Sequence, residues 1–185
     1  MIGLKRGTVA LCPHDLEWEA EAARTIRRLR AVLGDTAKDL QHVGSTSVPS
    51  ICAKPIIDIA LAVDDFSELL SREEELREAG FYFRPGTKID HQLLFACGSW
   101  YEGSGDEQTH FIHAVLTGSR EWTDYIDFRD YLIAHPDAAR AYETLKLSLA
   151  EAAPVDAGRE QYLRGKHDFI AETLEKARRF RGREL

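Results

Sequence analysis

A short turn of small, hydroxyl-bearing residues stands out at 44–47, directly after a predicted strand that contains His42. Gly44 lets another group approach the backbone closely, and the amides and hydroxyls of the next residues are hydrogen-bond donors. Donors of this kind can hold a phosphate group. The segment predicts a phosphate-binding turn formed by Gly44, Ser45 and Thr46, with an ordinary strand-to-helix turn as the alternative.

Asp58 is the second chemically unusual residue, because it lies between two isoleucines in an apolar run. Aspartate is depleted in strands and is costly to remove from water, so Asp58 needs a cationic partner, hydrogen-bond donors or a metal ion. Alternation along the strand puts it beside small residues such as Ala60, which leaves room for a ligand. A structural ion pair with Lys54 or Arg84 and a functional role are both open.

Cations and histidines near the other strand ends complete the set of candidates. Lys54, Arg84 and Lys88 could neutralise a bound phosphate, although single cations at strand ends are usually solvated or paired. His42 could contact the phosphate or only close the end of its strand. Histidine is a common metal ligand and general base, so His113 could take either role, or it could be a core histidine with one hydrogen bond.

The elements that position these residues follow from apolar periodicity and capping signals. A mixed α/β half is predicted over residues 1–118 and a helical half over 119–185, together forming a single domain over 1–185. The predicted helices are 15–34, 66–80, 119–135, 136–154 and 159–179, and the predicted strands are 41–43, 56–63, 81–84, 91–97 and 109–116. The glycine-rich segment 98–105 is predicted as a hairpin or active-site loop.

Composition limits the class of protein. The 185 residues are 44% hydrophobic, and 24 basic against 31 acidic residues give a net charge of −7, so no nucleic-acid partner is expected. No apolar run approaches the roughly 20 residues of a membrane span, and the N-terminus lacks the apolar stretch of a secretory signal. Three widely spaced cysteines without a CxxC motif indicate a reduced, cytoplasmic protein.

The block His42–Ile59, HVGSTSVPSICAKPIIDI, resembles the signature of the GrpB family, which is assigned to the nucleotidyltransferase superfamily. The resemblance covers about residues 11–170. It extends to Thr109–His113, to Phe128–Leu132 with His135-Pro136, and to Tyr162, Lys166, Phe169 and Ile170. The family implies an α+β fold with a nucleotidyltransferase-like mixed β-sheet flanked by helices and a C-terminal helical cap.

In that superfamily, a Gly-Ser turn holds the triphosphate, a following strand carries two acids two residues apart, and a later strand supplies a third acid. Gly44-Ser45 and Asp58 fit this plan, but Ala60 occupies the second acidic position and His113 stands where the third acid is expected. His110 and His113 are three residues apart and should lie on opposite faces of their strand, so they should not share one metal.

The resemblance therefore implies Asp58 and His113 as catalytic and metal-binding residues, with one divalent ion, Mg²⁺, Mn²⁺ or Zn²⁺, and a nucleoside triphosphate as ligand. The predicted function is binding of a nucleotide or phosphate-containing small molecule, with transfer of a nucleotidyl group to a small acceptor. A non-catalytic nucleotide-binding regulatory module and a single-metal hydrolase are the alternatives.

Overall fold

The computed structural model describes residues 1–86, 91–153 and 159–182. The strands are β1 (Leu4–Lys5), β2 (Asp39–Val43), β3 (Ile57–Val63), β4 (Tyr82–Phe83), β5 (Gln92–Cys97), β6 (Glu107–Gln108) and β7 (His110–Leu116). The helices are α1 (Glu17–Leu33), α2 (Phe66–Ser71), α3 (Glu73–Glu78), α4 (Ser99–Glu102), α5 (Arg120–Ala134), α6 (Pro136–Ala152), α7 (Arg159–Gly165) and α8 (His167–Phe180). In these residues no helix is long and apolar enough to cross a membrane.

A five-stranded mixed sheet with the order β2-β3-β7-β5-β4 forms the centre of the fold. Strands β3 and β7 run parallel, whereas the other neighbours are antiparallel. Strands β1 and β6 form a separate two-stranded sheet. Helices lie on both sides of the mixed sheet, so the predicted α+β class is confirmed.

One face of the sheet packs against α1 and forms the main hydrophobic core. Alternate residues of β3, beginning with Ile57 and Ile59, meet Trp18, Ala22 and Leu29 of the helix, and all of these side chains are buried. Each buried aliphatic or aromatic side chain contributes roughly 1.5–3 kcal/mol relative to exposure. This face is therefore a packed apolar layer that leaves the site to the opposite face.

His110 lies on the α1 face, where its Nε2 is 3.1 Å from the Thr25 hydroxyl and 3.2 Å from a Glu21 carboxylate oxygen. Burial lowers the pKa of His110. His113, three residues further along β7, faces the other side of the sheet and contacts Asp58. The two histidines therefore lie on opposite faces, as the strand alternation predicted.

The opposite face is covered by helices from the C-terminal half. Helix α5 packs on β2, β3 and β7, and α6 and α8 pack against it and the segment after β2. A second buried cluster joins these elements; it consists of Val48, Ile51, Leu132, Ala139 and Tyr142. The predicted helical cap therefore lies over the sheet face that carries Asp58.

Two predicted helices are each divided in two. The 66–80 segment begins as expected with Asp65 accepting a bond from the Ser67 amide, but it breaks at Arg72, where φ is −99° and ψ is 12°. The Arg72 guanidinium donates to the Val32 carbonyl at 2.7 Å, which ties the break to the end of α1. The 159–179 helix breaks at Lys166, between α7 and α8. Residues 98–105 contain the short helix α4 instead of a plain loop.

Helix α6 holds the segment between β2 and β3 by two side chains one turn apart. The Cys52 amide donates to the Glu143 carboxylate at 2.5 Å, and the buried Lys146 ammonium donates to the Cys52 carbonyl. The Lys146 ammonium also lies 4.8 Å from the centre of the Tyr142 ring. Burial lowers the pKa of Lys146 to about 8. The charged form of this lysine therefore opposes folding, while its hydrogen bond and aliphatic stem favour it.

We expect the stability of Lys146→Met to depend on pH differently from that of the wild-type protein. Between pH 8 and 10.5 the unfolded chain binds the Lys146 proton more tightly than the folded chain, so the wild-type free energy of unfolding gains as pH rises through this window. From pH 8 to pH 10.5, the free energy of unfolding of the wild-type protein should rise by about 2–3 kcal/mol relative to that of Lys146→Met. Urea titrations across the window measure it.

The matched control is Lys176→Met, which alters an exposed lysine of α8. This variant should follow the wild-type protein at every pH. If the wild-type protein and Lys146→Met differ in free energy of unfolding by the same amount at every pH from 8 to 10.5, burial does not lower the pKa of Lys146 as stated.

Candidate functional site

The site begins where Gly44 passes directly over the Asp58 carboxylate. Pairing of β2 with β3 sets Val43 opposite Asp58, so the turn starts beside that side chain. The backbone of Gly44 has φ 70° and ψ −171°, a conformation that is essentially restricted to glycine. A Cβ at this position would lie 2.5 Å from Asp58 Oδ2. Gly44 is therefore required both by its backbone conformation and by the carboxylate below it.

His113 binds the other oxygen of the same carboxylate. Its Nε2 is 3.1 Å from Asp58 Oδ1, and both side chains are largely buried. His113 Nδ1 is buried and has no hydrogen-bond partner in the described residues. His113 Nε2 is therefore occupied by Asp58, and Nδ1 is not accessible. The imidazole orients Asp58 and offers no accessible basic nitrogen to the cavity.

The hydroxyl groups of the turn are bound to protein groups and do not point at a ligand. Thr46 Oγ1 pairs with His42 Nε2 at 2.9 Å, and the Ser47 hydroxyl donates to the Gly44 carbonyl at 2.6 Å. The Ser45 side chain is hydrogen-bonded to the Tyr142 phenol. The Ser47 amide donates to the Gly44 carbonyl, and the Val48 amide donates to the Ser45 carbonyl. These backbone hydrogen bonds of the turn do not use the amides of Ser45 and Thr46.

His42 supports the turn from the core side of the sheet. Its neighbour across β3 is Ile59, whose side chain belongs to the α1 core, so His42 faces away from Asp58. Burial lowers its pKa to about 4, which keeps the ring neutral at pH 7. The structure therefore places His42 as a positioning residue for Thr46, and it lines neither of the cavities described next.

The first cavity, the cationic chamber, has a volume of about 410 Å³. The ammonium groups of Lys54 and Lys166 lie 5.1 and 4.7 Å from the centre of one ring, that of Tyr162. Its lining residues are Ser45, Thr46, Lys54, Ile56, Asp58, Leu94, Phe111, His113, Tyr162, Leu163 and Lys166. Two lysines in one concave site make this chamber attractive to an anion.

The second cavity, the aromatic chamber, has a volume of about 320 Å³ and adjoins the first at Ser45, Asp58 and Lys166. Its lining residues are Gly44, Ser45, Asp58, Gln92, Glu121, Asp124, Tyr125, Phe128, Tyr142, Lys166, Ile170 and Leu174. The Tyr125 hydroxyl donates to Gln92 at 2.9 Å, and its ring centre is 5.0 Å from that of His113. Asp58 therefore lies at the junction of two chambers with different walls.

The structure separates the predicted site residues into those that reach the cavity and those that do not. Gly44, Ser45, Thr46, Lys54, Asp58 and His113 converge on it. Arg84 lies elsewhere on the sheet, with its guanidinium 4.9 Å from the centre of the Tyr101 ring, and lines neither chamber. Lys88 falls outside the described residues.

Lys166, Tyr142, Tyr125 and Glu121 line the cavity although the residue pattern alone did not select them. Tyr142 is buried and Tyr125 is half-buried, and their hydroxyl groups reach Ser45 and Gln92. A buried tyrosine needs a hydrogen-bond partner for its hydroxyl, and this need was the available signal. Lys166 had no such signal, because its place follows from the break between α7 and α8.

The residues present do not form a two-metal centre. In the part of the chain that the structure describes, no group of three or more histidine, cysteine, aspartate or glutamate side chains could hold a metal ion. Ala60, at the expected second acidic position, is fully buried and lines neither chamber. Asp58 is left as a single strand carboxylate with one oxygen bound to His113, whereas Mg²⁺ pairs are bridged by several carboxylates.

Fold and site together define an α+β protein in which a glycine turn, a strand aspartate and a histidine form the floor of a two-chambered cavity under C-terminal helices. The family model described as GrpB protein matches residues 8–176. The glutamate-rich protein GrpB of Alkalihalophilus pseudofirmus is 35% identical over 175 residues, which cover 94% of this chain and 98% of that protein. The chain belongs to the GrpB family.

Other comparisons agree with this assignment. The UPF0157 protein YqkA of Bacillus subtilis is 32% identical over 83% of this chain, which spans only 43% of that longer protein. The crystal structure of the conserved protein GrpB from Enterococcus faecalis superimposes with a TM-score of 0.81 and 26% identity, covering 91% of this chain and 96% of that one. A cytoplasmic RNA terminal U-transferase gives a TM-score of 0.43 at 16% identity, a likeness too distant to indicate an activity.

Gly44→Ala should destabilise the protein more than alanine at a glycine with a similar φ in open space. The new Cβ requires an unfavourable backbone conformation and displaces the Asp58 carboxylate, so we expect a loss of about 3 kcal/mol in the free energy of unfolding. Gly103→Ala is the control, because Gly103 has φ 73° and nothing within 4 Å of its Cβ position. Its loss should be about 1–2 kcal/mol. Equal losses in urea titrations would show that the contact with Asp58 does not constrain position 44.

Proposed function

We propose that the protein binds a nucleotide or another phosphate-containing small molecule, with the phosphate in the cationic chamber. The observation that carries this proposal is the convergence of Lys54 and Lys166 on one Tyr162 ring, in a concave site beside the Ser45–Thr46 turn. Both lysines line the same chamber, and a phosphate bound there would gain charge-assisted contacts from their ammonium groups. The amides of Ser45 and Thr46, which the backbone bonds of the turn do not use, would serve as further donors.

The remaining walls of the chamber favour a ligand with an apolar or aromatic part. Ile56, Leu94, Phe111 and Leu163 line it together with the Tyr162 ring. A volume of about 410 Å³ falls within the range of small-molecule sites, and a few polar groups set in apolar walls are typical of them. A small phosphorylated molecule fits this chamber, whereas the net charge of −7 argues against nucleic acid as the partner.

Nucleotidyl transfer by two metal ions is not the activity that this geometry favours. In-line displacement at phosphorus requires charge neutralisation on both the attacking and the leaving oxygen, and paired metal ions normally supply it. Asp58 is the single acidic residue of β3, and His113 is committed to it. We therefore favour the binding module among the predicted functions, and the proposal assigns no step to a metal ion.

The single-metal hydrolase is also less favoured than binding. A general base needs a nitrogen or oxygen that can reach the water or substrate it deprotonates. His113 Nε2 faces Asp58 and its Nδ1 is buried, so the pair lacks an accessible imidazole nitrogen. The available role for His113 is to fix the rotamer of Asp58 at the junction of the chambers.

Removing either lysine should weaken binding of a polyphosphate. We expect Lys54→Met and Lys166→Met each to lower the affinity for ATP and for inorganic tripolyphosphate by about 10- to 150-fold, because each removes a charge-assisted contact of roughly 1.5–3 kcal/mol. Calorimetric titrations at one fixed ionic strength measure the change.

Lys38→Met is the control, since Lys38 pairs with Asp64 at the far end of β3. The control should bind both probes as the wild-type protein does. If neither probe binds the wild-type protein, or if Lys38→Met weakens binding as much as Lys54→Met, the phosphate site is assigned wrongly.

The unmodified protein should show little or no Mg²⁺-dependent turnover of nucleoside triphosphates. The expected reason is the missing second carboxylate, since the position expected to carry it is the buried Ala60. Release of pyrophosphate and of inorganic phosphate, followed with each of the four ribonucleotides and a set of small alcohols and amines, tests this expectation. Robust Mg²⁺-dependent turnover that Asp58→Asn abolishes would show that one carboxylate is sufficient.

A further inference from the structure

The aromatic chamber differs from the cationic chamber in the sign of its charge. Lys54 lines only the cationic chamber, whereas Glu121 and Asp124 line only the aromatic chamber. Asp124 is neutralised by Arg178, whose guanidinium is 2.7 Å from its carboxylate. Glu121 and Asp58 then face Lys166 as the remaining charges, so the aromatic chamber has an excess of negative charge.

The carboxylates of this chamber affect the two tyrosines on its walls. The buried hydroxyl of Tyr125 donates to Gln92, and burial together with the charges of Asp58 and Glu121 raises the pKa of Tyr125. Asp58 also helps to raise the pKa of Tyr142 on the other wall, after burial as the main cause. Both phenols therefore remain protonated at physiological pH, and Glu121 and Asp58 supply the acidic groups of the chamber wall.

The rest of the chamber wall is apolar. Phe128 of α5 and Ile170 and Leu174 of α8 lie opposite the polar groups. A phosphorylated ligand is less favoured on this side of Asp58, because acidic residues outnumber the single lysine of the lining. An apolar molecule with a positively charged group has the complementary chemistry, since it buries its body against the helices and pairs its charge with a carboxylate.

We propose that the aromatic chamber binds a second ligand, an organic amine with an apolar or aromatic body, whose ammonium group is held by Glu121 and Asp58. This proposal rests on the proposed function for the occupant of the cationic chamber. The two ligands would then lie on either side of the Asp58 carboxylate, since Ser45, Asp58 and Lys166 belong to both chambers. The site would be one for two different small molecules.

Three probes of one shape and different charge test the proposal. Tyramine carries an ammonium group, tyrosol is its neutral alcohol and 4-hydroxyphenylacetate is its anionic counterpart. Titrations of the full chain, followed by protein NMR, should show tyramine binding about tenfold more tightly than tyrosol, with no binding of the anion. Glu121→Gln should reduce the preference for tyramine, because one of the two proposed carboxylates is lost, whereas Glu175→Gln, a change on the exposed surface of α8, should preserve it.

A competition experiment separates two ligands from one. Saturating ATP should leave tyramine affinity unchanged or increase it, and Lys54→Met should weaken ATP without affecting tyramine. Tyramine binding in the absence of any ATP binding would support the second site and refute the phosphate site. Displacement of tyramine by ATP, equal affinity for tyramine and tyrosol, an unchanged preference in Glu121→Gln, or no tyramine binding at millimolar concentration would each overturn this proposal.

Discussion

The close approach of the Gly44 backbone to the Asp58 carboxylate is the contact on which the rest of the site depends. The pairing of Val43 with Asp58 places the start of the turn beside the side chain, and only a residue without a Cβ fits between them. Asp58 is fixed from its other oxygen by His113 at 3.1 Å. The Asp58 carboxylate therefore joins the turn to strands β3 and β7. A change in its contact with Val43, Gly44 or His113 would move the carboxylate that both chambers share.

The C-terminal helices hold this unit from the opposite side. Tyr142 reaches Ser45 at the beginning of the loop, and Glu143 and Lys146 of the same helix bind the Cys52 backbone near its end. Helix α8 is joined to α5 by ion pairs of Arg178 with Asp124 and of Arg181 with Asp130. The helices are thus walls of the cavity as well as supports of its floor, and the chambers exist only where they cover the sheet.

Much of the fold was predictable because its elements have clear periodicity. The alternation in β7 predicted that His110 and His113 lie on opposite faces of the sheet, and His110 indeed lies on the α1 face while His113 contacts Asp58 on the other. The breaks at Arg72 and Lys166 were not predictable from local pattern. The first depends on a bond to the Val32 carbonyl of α1, and such a contact between distant segments leaves no trace in helical spacing.

The sequence by itself determined the position of the glycine turn, the strand that carries the carboxylate and the membership of the GrpB family, because these are properties of contiguous residues. Only the tertiary structure decided which cations face the site. Arg84 and Lys166 are equally plausible by residue type, yet Arg84 stacks on Tyr101 and Lys166 lies over Tyr162 in the cavity. A charge acts on a ligand according to its distance through space, and helix packing sets that distance for residues far apart in the chain.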